Sequence, residues 1–338
     1  MGPLITIGIT SYKRIKELER CIKSVDTKFV EDIEIIVSED CSPLSKEIDE
    51  HVEALAKEIP YELKFMPNEH NLGYDRNLGA IIKKSRGEYV FLMSDDDALY
   101  PGFLDILIPF IKQQKERDYG VIYAPFVYSD TRRKERNHNK DFVIDKGEDN
   151  ACKYIYDSIL FSGLIFKKEH VEKLDAEDFL NMNFYQVYMF LKMIYHYGGY
   201  YFAKPSVLCV GDGENAYGKS ESSGGNALIA DRSSVLSNVE FCRTLIMVIK
   251  RFDKEEGTQV FKSFEAQYSF RSYTLLSMAR SVSRAFFKDF WRRLNALDMN
   301  LRPIAKVYYY MLLILGSRIS NGLTYYAKRW AKNDGKDI

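Results

Sequence analysis

The first 125 residues alternate short apolar, β-branched runs with stretches whose apolar positions recur at helical spacing. "LITIGIT" (4–10), "IEIIVSED" (33–40), "YELKFMPN" (61–68) and "GEYVFLMS" (87–94) read as strands bounded by turn residues. Between them, Ile15 to Val25, "SKEIDEHVEALAKEI" (45–59) and "RNLGAIIKKS" (76–85) read as helices. A further helix begins near Pro101, a residue suited to a first helical turn, and "GVIYAPFVYSD" (120–130) returns to the sheet. This alternation predicts an α/β fold: a mostly parallel, Rossmann-like sheet flanked by helices.

Further along, 131–150 is polar and charged, a surface loop or hairpin, and "GLIFKKEHVEKL" (163–174) reads as strand then helix. "NFYQVYMFLKMIYHYGG" (183–199) is an aromatic-rich helix with a glycine stop, and "YYFAKPSVLCV" (200–210) a strand. Residues 211–226 are rich in Gly and Ser, a linker or a lid, and beyond them the pattern is helical almost to the end. The expected organisation is a catalytic unit over 1–225 and an all-helical C-terminal region over 226–338.

Ligands of an open parallel sheet bind where the loops leave the carboxyl ends of the strands. Three distinctive loops fall there: "TSYKR" (10–14), "SEDCSP" (38–43) and "SDDDALYP" (94–101). Asp95, Asp96 and Asp97 repel one another and raise one another's pKa unless a cation or solvent takes up the charge. They either splay as a solvated turn or hold a hard divalent ion, Mn²⁺ or Mg²⁺, that carries phosphates. Tyr12 offers a flat face to a base, or packing; Asp40 offers an acceptor to a ring N–H, or a cap to the next helix.

Composition narrows the partners. Lys plus Arg equal Asp plus Glu at 48 each, which predicts no nucleic-acid ligand. The balance is local, however: Arg280 to Ile338 holds 12 Lys or Arg against 4 Asp or Glu, among many aromatic residues. That is the composition of helices resting on an anionic membrane face, or of a bundle that packs on the sheet or forms a homo-oligomer. Five scattered cysteines suit a reducing cytosol, and five histidines without ligand spacing predict no zinc site. The N-terminus lacks a signal-peptide pattern, and no run reaches the roughly 18 apolar residues a spanning helix needs. A cytoplasmic enzyme, with contact to the inner membrane face, is expected.

In several ordered pieces over roughly residues 4–210, the chain resembles the family 2 glycosyltransferases of GT-A fold. "ITSYKR" looks like that family's opening loop and "VSEDCSP" like its acidic turn. "NLGYDRNLGAIIKKSRGEYVFLMSDDDALYP" is similar to the stretch leading into its Asp-x-Asp motif, here with Ser94 ahead of Asp95 and Asp97. The resemblance implies an inverting, metal-dependent transfer from a nucleotide-sugar donor, expected to be UDP-linked, to a glycan or lipid-linked oligosaccharide of a bacterial surface polysaccharide. It places Thr10, Tyr12, Arg14, Glu39, Asp40, Arg76, Asp95 and Asp96 around the donor, with Asp96 and Asp97 on the metal.

One place departs from the family pattern. Where members commonly carry an Asp ahead of the helix ending "LKMIYHYGG", this chain has Tyr185 and Gln186. The nearest acidic cluster is "LDAEDF" (174–179), so Asp178 is the candidate base, unless it serves only to satisfy backbone N–H groups; Asp212 and Glu214 stand in reserve. Two rival functions remain open: a catalytically silent glycan-binding subunit on the same fold, and a sugar nucleotidyltransferase. The second usually needs a glycine-rich basic loop that "TSYKRIKEL" lacks.

Overall fold

The computed structural model describes residues 2–114, 116–179, 182–210 and 235–334. The strands are β1 (Ile5–Ser11), β2 (Ile33–Glu39), β3 (Glu62–Phe65), β4 (Tyr89–Ser94), β5 (Asp97–Leu99) and β6 (Val121–Tyr123) in the first part. There follow β7 (Phe126–Tyr128), β8 (Lys134–Glu135), β9 (Phe142–Ile144), β10 (Leu164–Lys167), β11 (Gly199–Tyr201) and β12 (Val207–Cys209). The main sheet has eight strands in the order β3-β2-β1-β4-β10-β6-β11-β9, and a small second sheet has the order β5-β12-β7-β8. In the main sheet, β1 to β4 are mutually parallel, and β10 enters antiparallel between β4 and β6.

Alternation along each strand divides the core in two. Ile5, Ile7 and Ile9 of β1 and Phe91 and Met93 of β4 face helices α1 (Ile15–Lys23), α2 (Ser45–Leu55) and α4 (Leu104–Gln113). Val90 and Leu92 of β4 face α3 (Tyr74–Lys84) and, further along the chain, α7 (Tyr185–His196). A Cβ on Gly8 would stand 2.3 Å from Ile81 Cγ2, so glycine there lets α3 lie close on β1. Two short helices, α5 (Glu148–Tyr154) and α6 (Lys168–Val171), complete this part.

Two stretches that read as single strands are each divided at a proline. Pro125 separates β6 from β7, and Pro205 lies between β11 and β12. A proline offers no N–H to a ladder, so each strand leaves the main sheet there and its continuation joins the second one. The triple Asp differs as well: Asp97 opens β5 and pairs with Cys209, so only Asp95 and Asp96 form the turn between the two sheets. The helix expected near Pro101 begins at Leu104, and the polar 131–150 stretch contains β8, antiparallel to β7, and the edge strand β9.

The C-terminal region is helical as expected: α8 (Val235–Glu256), α9 (Val260–Arg271), α10 (Tyr273–Val282), α11 (Arg284–Asn295) and α12 (Pro303–Asp334). Its apolar residues, among them Val248, Phe252, Phe264, Phe287 and Leu312, join the same buried cluster as Leu78, Val90 and Phe190. Lys192 of α7 also pairs with Glu255 of α8 at 2.9 Å, across the contact that this shared cluster makes. The expected boundary near Asn226, the Gly/Ser stretch, Asp212 and Glu214 all lie outside the described residues.

Candidate active site

Strand register brings the three loops together. Thr10 pairs with Ser38 on one side and Ser94 on the other, and Ser11 pairs with Glu39, so β1, β2 and β4 end level. The ladder continues one step outward: Asp40 N–H donates to Ser11 O at 3.0 Å and Asp95 N–H to Thr10 O at 3.3 Å. Two of these loops hold non-glycine residues in the left-handed region, Lys13 at φ 63° and Cys41 at φ 52°, a cost that turns at functional sites often carry.

Two arginines, Arg14 and Arg20, contact the acidic apex. Asp95 is buried, accepts the Tyr12 N–H at 3.2 Å and pairs with Arg14 Nη1 at 2.7 Å. The same Arg14 nitrogen lies 3.1 Å from Asp96, whose side chain is 20% exposed. Asp96 also accepts the Ser94 hydroxyl at 2.5 Å, and its backbone carbonyl takes a bond from Arg20 at 2.9 Å. Asp97 turns inward, toward the hydroxyl of Ser162 and the thiol of Cys209. Burial pushes Asp95 up to about 7 against the pull of Arg14, and burial together with Asp96 pushes Asp97 to about 7. Asp96 is the one of the three left open, and a single carboxylate with the donor's own phosphates is a sufficient ligand set for Mg²⁺ or Mn²⁺.

The second loop is a scaffold as much as a contact. Glu39 accepts the Ser42 N–H at 3.0 Å. Asp40 accepts from Asn68 at 3.0 Å, Leu72 N–H at 2.8 Å and Gly73 N–H at 3.0 Å, and burial raises its pKa despite these bonds. A carboxylate has about four acceptor positions, so one stays available on Oδ2 for a ligand N–H. Asn68 also bonds Asn77, whose amide oxygen takes the Ser38 hydroxyl at 2.7 Å, which locks the loop before α3 to the end of β2.

Arg76 and Asp178 sit away from the apex contacts. Arg76, in the first turn of α3, pairs with Glu177 at 3.2 Å. Asp178, 69% exposed, pairs with Arg251 of α8 at 3.1 Å. Asp75, which the sequence did not single out, is buried and accepts the N–H groups of Asn183 at 2.6 Å and Tyr185 at 2.8 Å. It accepts backbone N–H groups at the N-terminus of α7, while burial raises its carboxyl to about 7. Tyr185 is buried with its hydroxyl on Leu174 O, and Gln186 donates to Ile159 O at 2.8 Å while its Oε1 is buried without a protein partner.

Sequence reasoning also missed Arg20, Ser162 and Cys209 at the apex and the buried Arg136, which donates to Ser162 O at 3.1 Å. All but Arg20 come from distant chain segments, and Arg20 is visible only as one turn of α1 beyond the first loop. Among the described residues, the acidic or imidazole ligand atoms that converge in a group of three are not those of the apex but those of Asp118, Glu169 and His170. They lie at the opposite edge of the sheet, since Lys167 at the end of β10 pairs with Tyr89 at the start of β4.

A mostly parallel sheet with an acidic turn between β4 and β5 and the antiparallel strand β10 inserted beside β4 is the arrangement of a GT-A glycosyltransferase. The sequence profile of Glycosyl transferase family 2 matches residues 6–175, and the chain belongs to that family. It is similar to abequosyltransferase RfbV of Salmonella typhimurium, at 26% identity over 230 residues, 63% of this chain and 68% of that protein. A GalNAc(5)-diNAcBac-PP-undecaprenol β-1,3-glucosyltransferase of Campylobacter jejuni is 28% identical over 140 residues, 41% of this chain and 42% of its own length. The crystal structure of S. aureus TarS 1–349 superposes with a TM-score of 0.51 at 13% identity, covering 90% of each chain. The same fragment in complex with UDP-GlcNAc gives 0.50 at 14% identity.

Proposed function

We propose that the chain is a metal-dependent, inverting glycosyltransferase that moves a sugar from a UDP-linked donor to a hydroxyl of a lipid-linked glycan in bacterial surface polysaccharide synthesis. The carrying observation is the common edge of β1, β2 and β4, which sets Tyr12, Asp40 and Asp95–Asp96 side by side. In this reading residues 1–225 hold the donor, and residues 226–338 serve the acceptor and the cytoplasmic membrane face. One relative supports the acceptor class, being named for a polyprenyl-diphosphate-linked substrate. The fold neighbour in complex with UDP-GlcNAc supports the nucleotide.

Tyr12 stacks on the base and Asp40 Oδ2 accepts its ring N–H, while Thr10 and Glu39 shape the walls. Asp95 holds the ribose side and keeps Arg14 in place. Asp96, assisted by Asp97, would hold Mn²⁺ or Mg²⁺, which neutralises charge on the departing diphosphate. Arg14 stabilises the same leaving group, because its guanidinium spans Asp95 and Asp96 at the apex. Arg76 steers the phosphates from the first turn of α3. Asp178 accepts the proton of the attacking hydroxyl; its exposure leaves it free to exchange Arg251 for an acceptor.

Purified protein incubated with a panel of sugar nucleotides and Mn²⁺ should release nucleoside diphosphate in the presence of a glycan acceptor. Pyrophosphate as the product would instead identify a nucleotidyltransferase. Donor binding without turnover on any acceptor would identify the silent glycan-binding subunit, the reading that Tyr185 and Gln186 at the start of α7 favour.

A further inference from the structure

Helix α12 is amphipathic with an apolar outside. Its inner side is conventional: Ala305, Leu312 and Ser320 are fully buried, and Tyr309 stacks on Trp291 and Phe287 at 4.5 and 5.0 Å. Its outer side carries Val307, Tyr310 and Ile314, exposed by 56, 58 and 76% at i, i+3 and i+7. Beyond Gly316 the pattern resumes with Ile319, Leu323 and Tyr326, exposed by 57, 50 and 68% at i, i+4 and i+7. A helix that faces only water puts polar residues at such positions.

The stripe is held in place. Gly316 breaks the helix at φ 75° and ψ 170°. Carbonyls of the turn before the break are met by side chains: Leu312 O by Arg280 at 3.1 Å and Met311 O by Ser320 at 3.4 Å. The second half is pinned through Asn321, which accepts the hydroxyls of Tyr273 at 2.7 Å and Ser277 at 2.8 Å.

Charge identifies what covers it. Residues 298–334 hold six Lys or Arg against two acids, Asp298 and Asp334, one at each end. Lys306 and Arg318 are exposed next to Val307 and Ile319 on the helix itself. Two acids nearby are already paired: Asp289 with Arg292 at 2.6 Å and Arg293 at 2.8 Å, and Asp298 with Lys250. A second copy docked on this face would set like charges against each other, whereas anionic headgroups match them. Among the described residues no helix is long and apolar enough to cross a membrane, so contact with lipid here means a helix lying along the interface, not a spanning one.

We propose that the two outward stripes of α12 form a membrane-interface anchor that seats the enzyme on an anionic lipid bilayer. The anchor deepens the lipid-linked acceptor reading, yet its test needs no turnover and is independent of donor or metal. Full-length protein should co-sediment with vesicles of equal parts phosphatidylglycerol and phosphatidylcholine, far less with phosphatidylcholine alone, and added salt should release it. An Ile314→Glu, Ile319→Glu double variant, with unchanged circular dichroism and thermal midpoint, should lower the vesicle-bound to free ratio by about tenfold or more. A conservative Ile314→Leu, Ile319→Leu pair should restore binding. Equal binding of the Glu variant, indifference to lipid charge, or native protein left in the supernatant would each overturn the anchor. So would a dimer in solution that the Glu pair dissolves while vesicles bind neither form.

Discussion

Asp96 is the most open carboxylate of the apex, and it shares a single guanidinium with Asp95. An Asp96→Ala change removes the open ligand while leaving the buried Asp95 and Asp97 bonds intact. Nucleoside diphosphate release should therefore fall by about two orders of magnitude or more, the scale of losing one electrostatic contact to a leaving group. The thermal midpoint should stay or rise slightly; retained turnover would move the metal elsewhere. Asp75 makes a separate case. Burial lifts its carboxyl to about 7, even with backbone N–H groups favouring the ionised form. A carboxyl raised on folding binds more protons folded than unfolded, so its contribution to stability is fullest below about 4 and declines as pH rises toward 7. Urea unfolding at about pH 5 and about pH 8 should show the native chain losing more stability on the upward step than Asp75→Asn, which does not titrate. At about pH 5 the Asn variant should be weaker by about 1–3 kcal/mol, because its amide nitrogen cannot accept one of the two N–H bonds that Asn183 and Tyr185 donate.

At the scale of elements, close approach of backbone decides what the sheet tolerates. A Cβ on Gly87 would stand 2.4 Å from the backbone nitrogen of Thr6 and 2.8 Å from the carbonyl carbon of Ile5. Gly87→Ala should thus cost about 1–3 kcal/mol or more in chemical denaturation, since the obstacle is β1 itself and not a side chain that can turn away. Strands β1, β2 and β4 were legible because each is an apolar, β-branched run between turn residues with a family motif at its end, and β3 because Glu62, Leu63, Lys64 and Phe65 alternate. The two proline-divided strands were not, because periodicity shows an extended run and says nothing of which sheet each half joins. The same limit hid Asp75, whose partners lie 108 and 110 residues away, and the Arg251 that holds Asp178 from 73 residues away. Arg76 drew notice through its motif, while the residue just before it does the buried work.

Across the whole molecule, the sheet and the C-terminal helices are one packing problem. Val248, Phe252 and Phe264 fill the same cluster as Phe190 and Leu78, so deleting everything after residue 210 would strip α7 of its cover. The truncated chain should bind a hydrophobic dye and precipitate, and a soluble product with cooperative unfolding would show that the sheet stands alone. Length and composition suggested an appended unit, and the helical character was legible; the merging of cores was not, since an apolar helix face does not declare its partner in sequence. That merger also limits how such proteins can exchange parts. A tail grafted onto another catalytic sheet would arrive without the α7 surface it was shaped against, so recombination at the sequence junction should yield insoluble chimeras unless α7 travels with it.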